Sequence, residues 1–264
     1  MNFYELSVKD IKNFINNVSV ENYTKYIPSL AQDERQSIKQ LVKTLKKRHN
    51  DYLAEQKRVE KLWYYENQLI RSGQEIIAGI DEAGRGPLAG PVVAAAVILP
   101  GNTFIEGIND SKKVSIKKRE VLFETINNQA LGIGVGIVDN HTIDKINILN
   151  ATKKAMLQAI KNLPISPQHL LIDAVKLADI HIKQTSIVQG DSKSISIAAA
   201  SIVAKVTRDR IMDAYHDKYP QYRFITHKGY GTKEHYHHIQ CYGLTPIHRK
   251  SFLKNIMGDR TNED

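Results

Sequence analysis

The sequence predicts an α/β domain built on a five-stranded sheet, with a helical segment before it and a shorter helical segment after it. Between residues 76 and 188, short apolar runs alternate with stretches whose apolar residues recur at helical spacing, a pattern typical of a sheet flanked by helices. The flanking parts lack strand-like runs and favour helix. The predicted parts are therefore an N-terminal helical extension (1–72), an α/β core (73–220) and a C-terminal helical segment (221–264).

The N-terminal part is expected to form at least two helices. Ser7 can cap a helix that carries Val8, Ile11 and Ile15 on one face. A second pattern places apolar side chains at helical steps, at Ile38, Leu41, Leu45, Tyr52, Val59 and Leu62. Its other positions are rich in Lys, Arg, Glu and Gln, as in an exposed amphipathic helix, and Gly73 should end it. This part is either a helix docked on the core or an additional contact to nucleic acid.

The core is expected to contain five strands and three helices. Apolar runs bounded by turn residues predict strands at 76–81, 92–99, 131–138, 170–173 and 185–188. Helices are expected near 115–128 and 142–163. A long third helix should begin at 192–194, where serine hydroxyls can cap it, with Ile195, Ile202 and Val206 facing inward. Ala198 to Ala200 would let that helix lie close to the sheet.

The C-terminal part is rich in Gly, His and Tyr. Two short helices are expected near 232–240 and 246–256, and the last residues, 258–264, should be frayed. His235, His237 and His238 lack a supporting set of acids or cysteines, so we interpret them as structural or surface residues and not as a metal site.

Composition limits the class of protein. A formal charge of +9 favours association with a polyanion such as nucleic acid. The apolar run at 92–99 has eight residues, far fewer than the roughly 20 that span a bilayer. Cys241 is the single cysteine, so no disulfide framework exists. We therefore expect a cytoplasmic protein with no membrane association.

Four acids stand at the ends of predicted strands or at a helix start. Asp81 and Glu82 end the first strand, Asp173 ends the fourth, and Asp191 precedes the long helix. Carboxylates at the end of a buried strand are costly unless they are paired or bound to metal. Together, without cysteine nearby, they suit a hard cation such as Mg²⁺ or Mn²⁺. Because neighbouring strand residues face opposite sides, Asp81 and Glu82 should share a site only where the strand bends.

Several ungapped blocks stand out between about 76 and 250. They are Asp-Glu-Ala-Gly-Arg-Gly-Pro-Leu-Ala-Gly-Pro (81–91), Asn-Asp-Ser-Lys-Lys (109–113), Ile-Asp-Ala (172–174), Gly-Asp-Ser-Lys-Ser (190–194) with Ile-Ala-Ala-Ala-Ser-Ile-Val-Ala-Lys-Val (197–206), and His-Lys-Gly-Tyr-Gly-Thr (227–232). Together, and in the same order, these blocks resemble bacterial ribonuclease HII. The related ribonuclease HIII usually has Thr between the two glycines, so Arg85 favours the HII type.

The resemblance implies a ribonuclease H-like fold, with a mixed five-stranded sheet, and an endonuclease that uses two divalent ions, Mn²⁺ or Mg²⁺. Asp81, Glu82, Asp173 and Asp191 would hold the ions. The implied reaction cleaves 5′ of ribonucleotides in duplex DNA, and in the RNA strand of RNA/DNA hybrids, leaving a 3′-hydroxyl and a 5′-phosphate. This activity would remove misincorporated ribonucleotides. We expect a monomer, with protein partners undetermined.

The resemblance also implies which residues contact the substrate. The Gly84-Arg85-Gly86 loop would approach the ribose and bind its 2′-hydroxyl, and Tyr230 would pack on a nucleotide. Phosphate contacts are expected from Ser111, Lys112 and Lys193. Two alternatives stay open: a ribonuclease HIII-like hybrid nuclease, and a nucleic acid binding module without activity. Gly84–Ala89 also fits a dinucleotide fingerprint, but a strand follows where that motif needs a helix.

Overall fold

The centre of the protein is a mixed five-stranded sheet in the order β3-β2-β1-β4-β5. The computed structural model describes residues 3–178 and 180–253. The strands are β1 (Ile77–Ala83), β2 (Val92–Ile98), β3 (Gly132–Val138), β4 (His169–Asp173) and β5 (Lys183–Ile187). The first three pair antiparallel, whereas β4 and β5 run parallel to β1. The predicted five-stranded sheet is confirmed.

Helices cover both faces of this sheet. In the core they are α4 (Tyr64–Arg71), α5 (Ile116–Gln129), α6 (Asn140–Lys161) and α7 (Ile195–Lys218), followed by the short α8 (Phe224–His227) and α9 (Lys233–Tyr242). Ser194 caps α7 by accepting a hydrogen bond from the Ile197 amide. The predicted inward positions, Ile195, Ile202 and Val206, are buried.

Glycines let the helices lie close to the strands. An added Cβ at Gly79 in β1 would lie 2.0 Å from the Ser196 carbonyl carbon in α7, and one at Gly134 in β3 would lie 2.0 Å from the Ala159 carbonyl oxygen in α6. Real side chains cannot occupy such positions. The glycines that weaken the strand pattern in the sequence therefore mark where α7 and α6 pack on opposite faces of the sheet.

The chain divides into two compact units, residues 1–61 and 62–264. In the first unit, α1 (Val8–Asn16), α2 (Tyr23–Ala31) and most of α3 (Gln36–Leu62) enclose their own apolar core. Ser7 caps α1 as expected, accepting from the Asp10 amide. In the second unit Gly73, with a positive φ of 83°, follows α4. None of the helices within the described residues is long and apolar enough to cross a membrane.

The prediction of a C-terminal helix near 246–256 is wrong over the described residues, 246–253. A 3₁₀ turn at Lys250–Phe252 stands there instead. Backbone bonds from the Gly90 amide to the Ile247 carbonyl (2.9 Å) and from the Arg249 amide to the Leu88 carbonyl (2.8 Å) pair this segment with residues 88–90. Those bonds use groups that a helix would need. The expected frayed end, 258–264, lies outside the described residues.

Candidate active site

A cavity of about 440 Å³ opens where β1 and β4 end. We call it the acidic cavity. Its lining residues are Asp81, Glu82, Ala83, Gly84, Arg85, Gly86, Ser111, Lys112, Asp173, Ser201, Lys205 and Tyr230. The parallel register aligns Ile80 with Ile172, so the next residues, Asp81 and Asp173, emerge side by side at the carboxyl ends of the two central strands. The sheet topology thus joins acids that are far apart along the chain.

Asp81 and Glu82 reach the cavity without the bend that the sequence led us to expect. Their pairing with β2 continues without an extra residue through Ala83, and the left-handed turn begins one residue later, at Gly84 (φ 93°). Strand alternation puts Asp81 on the side of α7 and Glu82 on the side of α6. The expected bend is therefore wrong. The pairing of β1 with β4 stops at Ile80, which leaves the sheet open beyond this point so that both side chains face the cavity.

Burial and the repulsion between like charges together raise the pKa values of Asp81 and Glu82. Burial, followed by the charges of Glu82 and Asp173, raises the pKa of Asp81 well above its ordinary value. Burial also raises the pKa of Glu82, partly offset by Arg85, whose guanidinium lies 3.4 Å from the carboxylate. Glu82 Oε2 is buried and has no hydrogen-bond partner among the described residues. The charged forms of Asp81 and Glu82 are therefore unfavourable in the folded protein, and a bound cation would stabilise them.

Asp173 and Asp191 are connected through a 3₁₀ turn. The Gly190 amide donates to Asp173 Oδ1 (2.7 Å), and Asp191 is the next residue in the Gly190–Ser192 turn. Burial raises the pKa of Asp191, and the charges of Asp110 and Asp173 add to this effect. Asp191 does not line the acidic cavity. Asp110, which the sequence reasoning did not select, is its immediate acidic neighbour.

The start of α7 beside this turn is held by a buried acid. Glu66 of α4 accepts hydrogen bonds from the Ser194 hydroxyl (2.5 Å), the Ser196 hydroxyl (2.6 Å) and the Ser196 amide (3.1 Å), all at Oε1. A carboxylate at a helix N-terminus is stabilised by the helix dipole and by the free amides. Glu66 therefore fixes the position of α7 directly after Asp191.

As they stand, the acids do not form a ready metal site. Within residues 3–178 and 180–253, no group of three or more His, Cys, Asp and Glu side chains is arranged so that it could hold an ion. Asp81, Glu82 and Asp173 nevertheless share the cavity and act on one another electrostatically. Binding of an ion would have to draw their carboxylates together.

The predicted substrate residues lie around the same opening, with one exception. Gly84, Arg85, Gly86, Ser111, Lys112 and Tyr230 line the cavity. An added Cβ at Gly86 would meet only Tyr230 Cε1, at 4.0 Å, so the ring faces the loop across open space. Lys193 is exposed, is not among the lining residues, and donates from Nζ to the Val188 carbonyl (2.7 Å).

Two lining residues, Ser201 and Lys205, were missed from the sequence. Ser201 hydrogen-bonds the Asp81 carboxyl group and lies 2.9 Å from Ser111 Oγ. The Lys205 ammonium pairs with Asp209 at 2.7 Å and lies 5.8 Å from the centre of the Tyr230 ring. They are spaced one turn apart in the mostly apolar first half of α7. That spacing was the signal available in the sequence.

Comparisons with known proteins agree on one family. The family profile described as Ribonuclease HII matches residues 78–255, and the profile described as Ribonuclease HII N-terminal domain matches residues 7–70. The Ribonuclease HII of Clostridioides difficile (strain 630) is 55% identical over 251 residues, which cover 95% of this chain and 98% of that protein.

Solved structures show the same fold. The chain is similar to the ribonuclease H2 of Pyrococcus horikoshii OT3, with 28% identity and a TM-score of 0.59 over 71% of this chain and 99% of that one. It also resembles Bst-RNase HIII in complex with Mn²⁺, with 19% identity and a TM-score of 0.50 over 64% of this chain and 63% of that one. The latter supports the fold alone. The chain therefore belongs to the ribonuclease HII family and is a ribonuclease H type 2 enzyme that acts on nucleic acid.

Proposed function

We propose that this enzyme hydrolyses the phosphodiester on the 5′ side of a ribonucleotide in duplex DNA, and the RNA strand of RNA/DNA hybrids. The products are a 3′-hydroxyl and a 5′-phosphate. The observation that carries the proposal is the placement of Asp81 and Asp173 at adjacent strand ends, in one cavity with the Gly84–Gly86 loop and Tyr230. A ribose that this loop and ring hold would bring its 5′ phosphate to the acids.

The acids fit a divalent cation, which we propose to be Mn²⁺ or Mg²⁺, two ions in the active complex. All four proposed ligands, Asp81, Glu82, Asp173 and Asp191, offer hard carboxylate oxygens. A bound cation would give the buried Glu82 Oε2 a partner and would relieve the repulsion that raises the pKa of Asp81. When bound, such ions activate water and stabilise the leaving oxygen.

The remaining residues bind and orient the strand. Gly84 has a positive φ and Gly86 has open space before it, so the loop backbone can approach the 2′-hydroxyl that distinguishes RNA from DNA. Tyr230 can pack on the neighbouring sugar, and Arg85 can bind a phosphate. Ser111 and Lys112, which also line the cavity, can contact a second phosphate, while Lys193 would extend the phosphate contacts beyond the cavity.

A single cleavage assay tests the proposal. Three labelled duplexes, carrying one ribonucleotide, an RNA strand, or DNA only, are incubated with the enzyme and Mn²⁺ or Mg²⁺. We expect a nick 5′ of the ribonucleotide and cuts along the RNA strand, with 3′-hydroxyl ends, whereas the all-DNA duplex stays intact. Cleavage of the hybrid alone would instead support the ribonuclease HIII-like activity. Binding without cleavage under either ion would leave a binding module.

A further inference from the structure

Two buried arginines lie directly behind the cavity loop. Arg208 and Arg249 are both fully buried, and neither forms an ion pair within the described part of the chain. Burying a guanidinium without a carboxylate is costly unless backbone acceptors replace the lost water. Burial lowers the pKa of Arg249 to about 9, so it stays charged at neutral pH. These side chains therefore need a specific set of acceptors.

Arg249 takes those acceptors from the recognition loop and the turn that follows it. Its guanidinium donates to the carbonyls of Gly84 (2.7 Å), Arg85 (2.9 Å), Gly90 (2.9 Å) and Pro91 (3.1 Å). The planar fork of an arginine fixes the directions of all these bonds at once. The carbonyls of two residues in the loop proposed to approach the ribose are thus held by one side chain.

The preceding residue, His248, is connected to the other recognition element. The Thr245 amide donates to His248 Nδ1 (2.9 Å), so the proton of a neutral His248 lies on Nε2. That nitrogen lies 3.0 Å from Nε2 of His235, whose Nδ1 lies 3.0 Å from the Tyr230 carbonyl. The only consistent pattern for neutral rings is His248 donating to His235 and His235 donating to Tyr230. This chain of bonds ends on the backbone of the tyrosine.

Backbone hydrogen bonds join the segment that carries His248 and Arg249 to both the loop and the tyrosine segment. Residues 88–90 pair with 247–249 through an isolated β-bridge between Ala89 and His248, and the Leu88 amide donates to the Gly229 carbonyl (2.8 Å). Arg208 adds a bond to the Lys228 carbonyl (3.0 Å), beside the same tyrosine segment. The loop, the tyrosine and the 247–249 segment therefore form one hydrogen-bonded unit.

We propose that His248 and Arg249 are positioning residues that set the distance between the Gly84–Gly86 loop and Tyr230, and thereby the selectivity for a ribonucleotide over a deoxyribonucleotide. The inference rests on the proposed function, since it assigns ribose recognition to that loop and that ring. Neither residue lines the acidic cavity, so both act through the backbone of residues that do. Their effect should therefore fall on substrate discrimination rather than on general affinity for nucleic acid.

The test uses Arg249→Lys, which keeps the charge but cannot form the four-bond fork, and His235→Phe, which keeps a ring but cuts the bond to Tyr230. Affinities for a duplex with one ribonucleotide and for an all-DNA duplex are measured without divalent ions, together with kcat and KM in Mn²⁺. We expect kcat/KM to fall about 100-fold, the scale of a misplacement of about 1 Å. The preference for the ribonucleotide duplex should disappear while the affinity for all-DNA duplex is unchanged.

Tyr222→Phe is the matched control. It removes the hydrogen bond from the Tyr222 hydroxyl to the Gly243 carbonyl (2.6 Å). It keeps the buried ring, which belongs to an apolar cluster with Leu88, Ala89 and Ile247, and it touches neither loop carbonyl. This variant should lose thermal stability and keep the wild-type preference. Should Arg249→Lys melt below the assay temperature, His235→Phe carries the comparison.

The outcomes separate two failures. A folded variant that keeps the wild-type preference, or one that loses affinity for both duplexes equally, would overturn the positioning role. The binding preference for the ribonucleotide duplex over the all-DNA duplex can be measured without any cleavage. A wild-type enzyme that binds selectively but does not cut would therefore contradict the proposed function and leave this inference open to the same binding test.

Discussion

Asp81 and Arg249 are both buried residues of charged type, and they lie on the two sides of the same loop. Asp81 is surrounded by further acids, and burial together with their charges raises its pKa. Arg249 is surrounded by carbonyl oxygens that accept from its guanidinium at four points. The acids repel one another and are only partly compensated, by Arg85 beside Glu82, whereas the guanidinium of Arg249 is fully compensated within the chain. The first is built to bind something, and the second to hold a shape.

The two regions also respond to pH in opposite directions. Asp81 has a raised pKa, so the metal-free fold is penalised as the pH rises above the ordinary carboxyl range. His235 and His248 have pKa values lowered to about 4, first of all by burial, so the fold is penalised as the pH falls below the ordinary value of 6.5. Experiments that separate these effects separate the two roles.

The largest expected effect is the loss of catalysis in Asp173→Asn. Metal binding supplies several kcal/mol to such transition states, so the rate should fall about 1000-fold or more, while substrate affinity stays within a few-fold. Single-turnover rates and fluorescence anisotropy measure the two quantities. Asp139→Asn is the control, because asparagine caps α6 as well as aspartate and the residue lies outside the cavity lining. Equal activity in both variants would remove Asp173 from the site.

The next largest effect is a gain in the stability of the metal-free enzyme when Asp81 is changed to Asn. The folded protein binds more protons at Asp81 than the unfolded chain does, so its stability should fall as the pH rises through the interval above 3.8. A neutral amide at this position would abolish the penalty. At pH 7 the melting temperature should rise by about 2 to 4 °C for each kcal/mol of relieved repulsion. The gain should vanish near pH 3.5 and shrink with saturating Mn²⁺. An unchanged or lower melting temperature at pH 7 would contradict the crowding of the acids.

The sheet could be predicted from the sequence because its strands are nearly continuous apolar runs. The run expected at 92–99 is β2 (Val92–Ile98), buried throughout, and the predicted ends of β1 and β4 place Asp81 and Asp173 at the edge of the sheet. Acids at the end of such runs have few structural explanations. Candidate ligands could therefore be chosen from the sequence, although their arrangement in space could not.

The supporting residues could not be predicted, since their role depends on distant backbone. Arg208 and Arg249 look like surface residues in a basic chain, yet all of their acceptors except the Lys228 carbonyl lie 117 to 165 positions away. The same long-range pairing replaced the helix expected near 246–256 with a β-bridge at His248 and a 3₁₀ turn at Lys250–Phe252. Lys205 was missed for a different reason: Asp209, which neutralises it, lies only one helical turn away, but an i,i+4 pair is common on exposed helices and does not show that the lysine lines the cavity.

A smaller effect is expected from His248→Gln on the acid side of the stability profile. Between pH 6.5 and about 4 the unfolded chain binds protons that the buried imidazole does not, so the wild-type free energy of unfolding should fall by at most about 1.4 kcal/mol per pH unit for each such histidine. The variant should show a shallower decline in urea titrations at pH 6.5, 5.5 and 4.5. His237→Gln, which changes a histidine exposed at the surface, should keep the wild-type slope; identical slopes in both variants would argue against a neutral His248.

The smallest effect concerns the salt dependence of substrate binding. Lys112 is exposed on the rim of the cavity, so Lys112→Ala should lower the slope of log Kd against log salt concentration by about 0.9, the value for one lost phosphate contact on a duplex. Lys193→Ala should change it less, because the Val188 carbonyl already accepts from its ammonium. Lys46→Ala, on the exposed face of α3, measures whether the N-terminal unit contacts the duplex. A full change of slope there, with none for Lys112, would move the electrostatic footprint from the cavity to that helix.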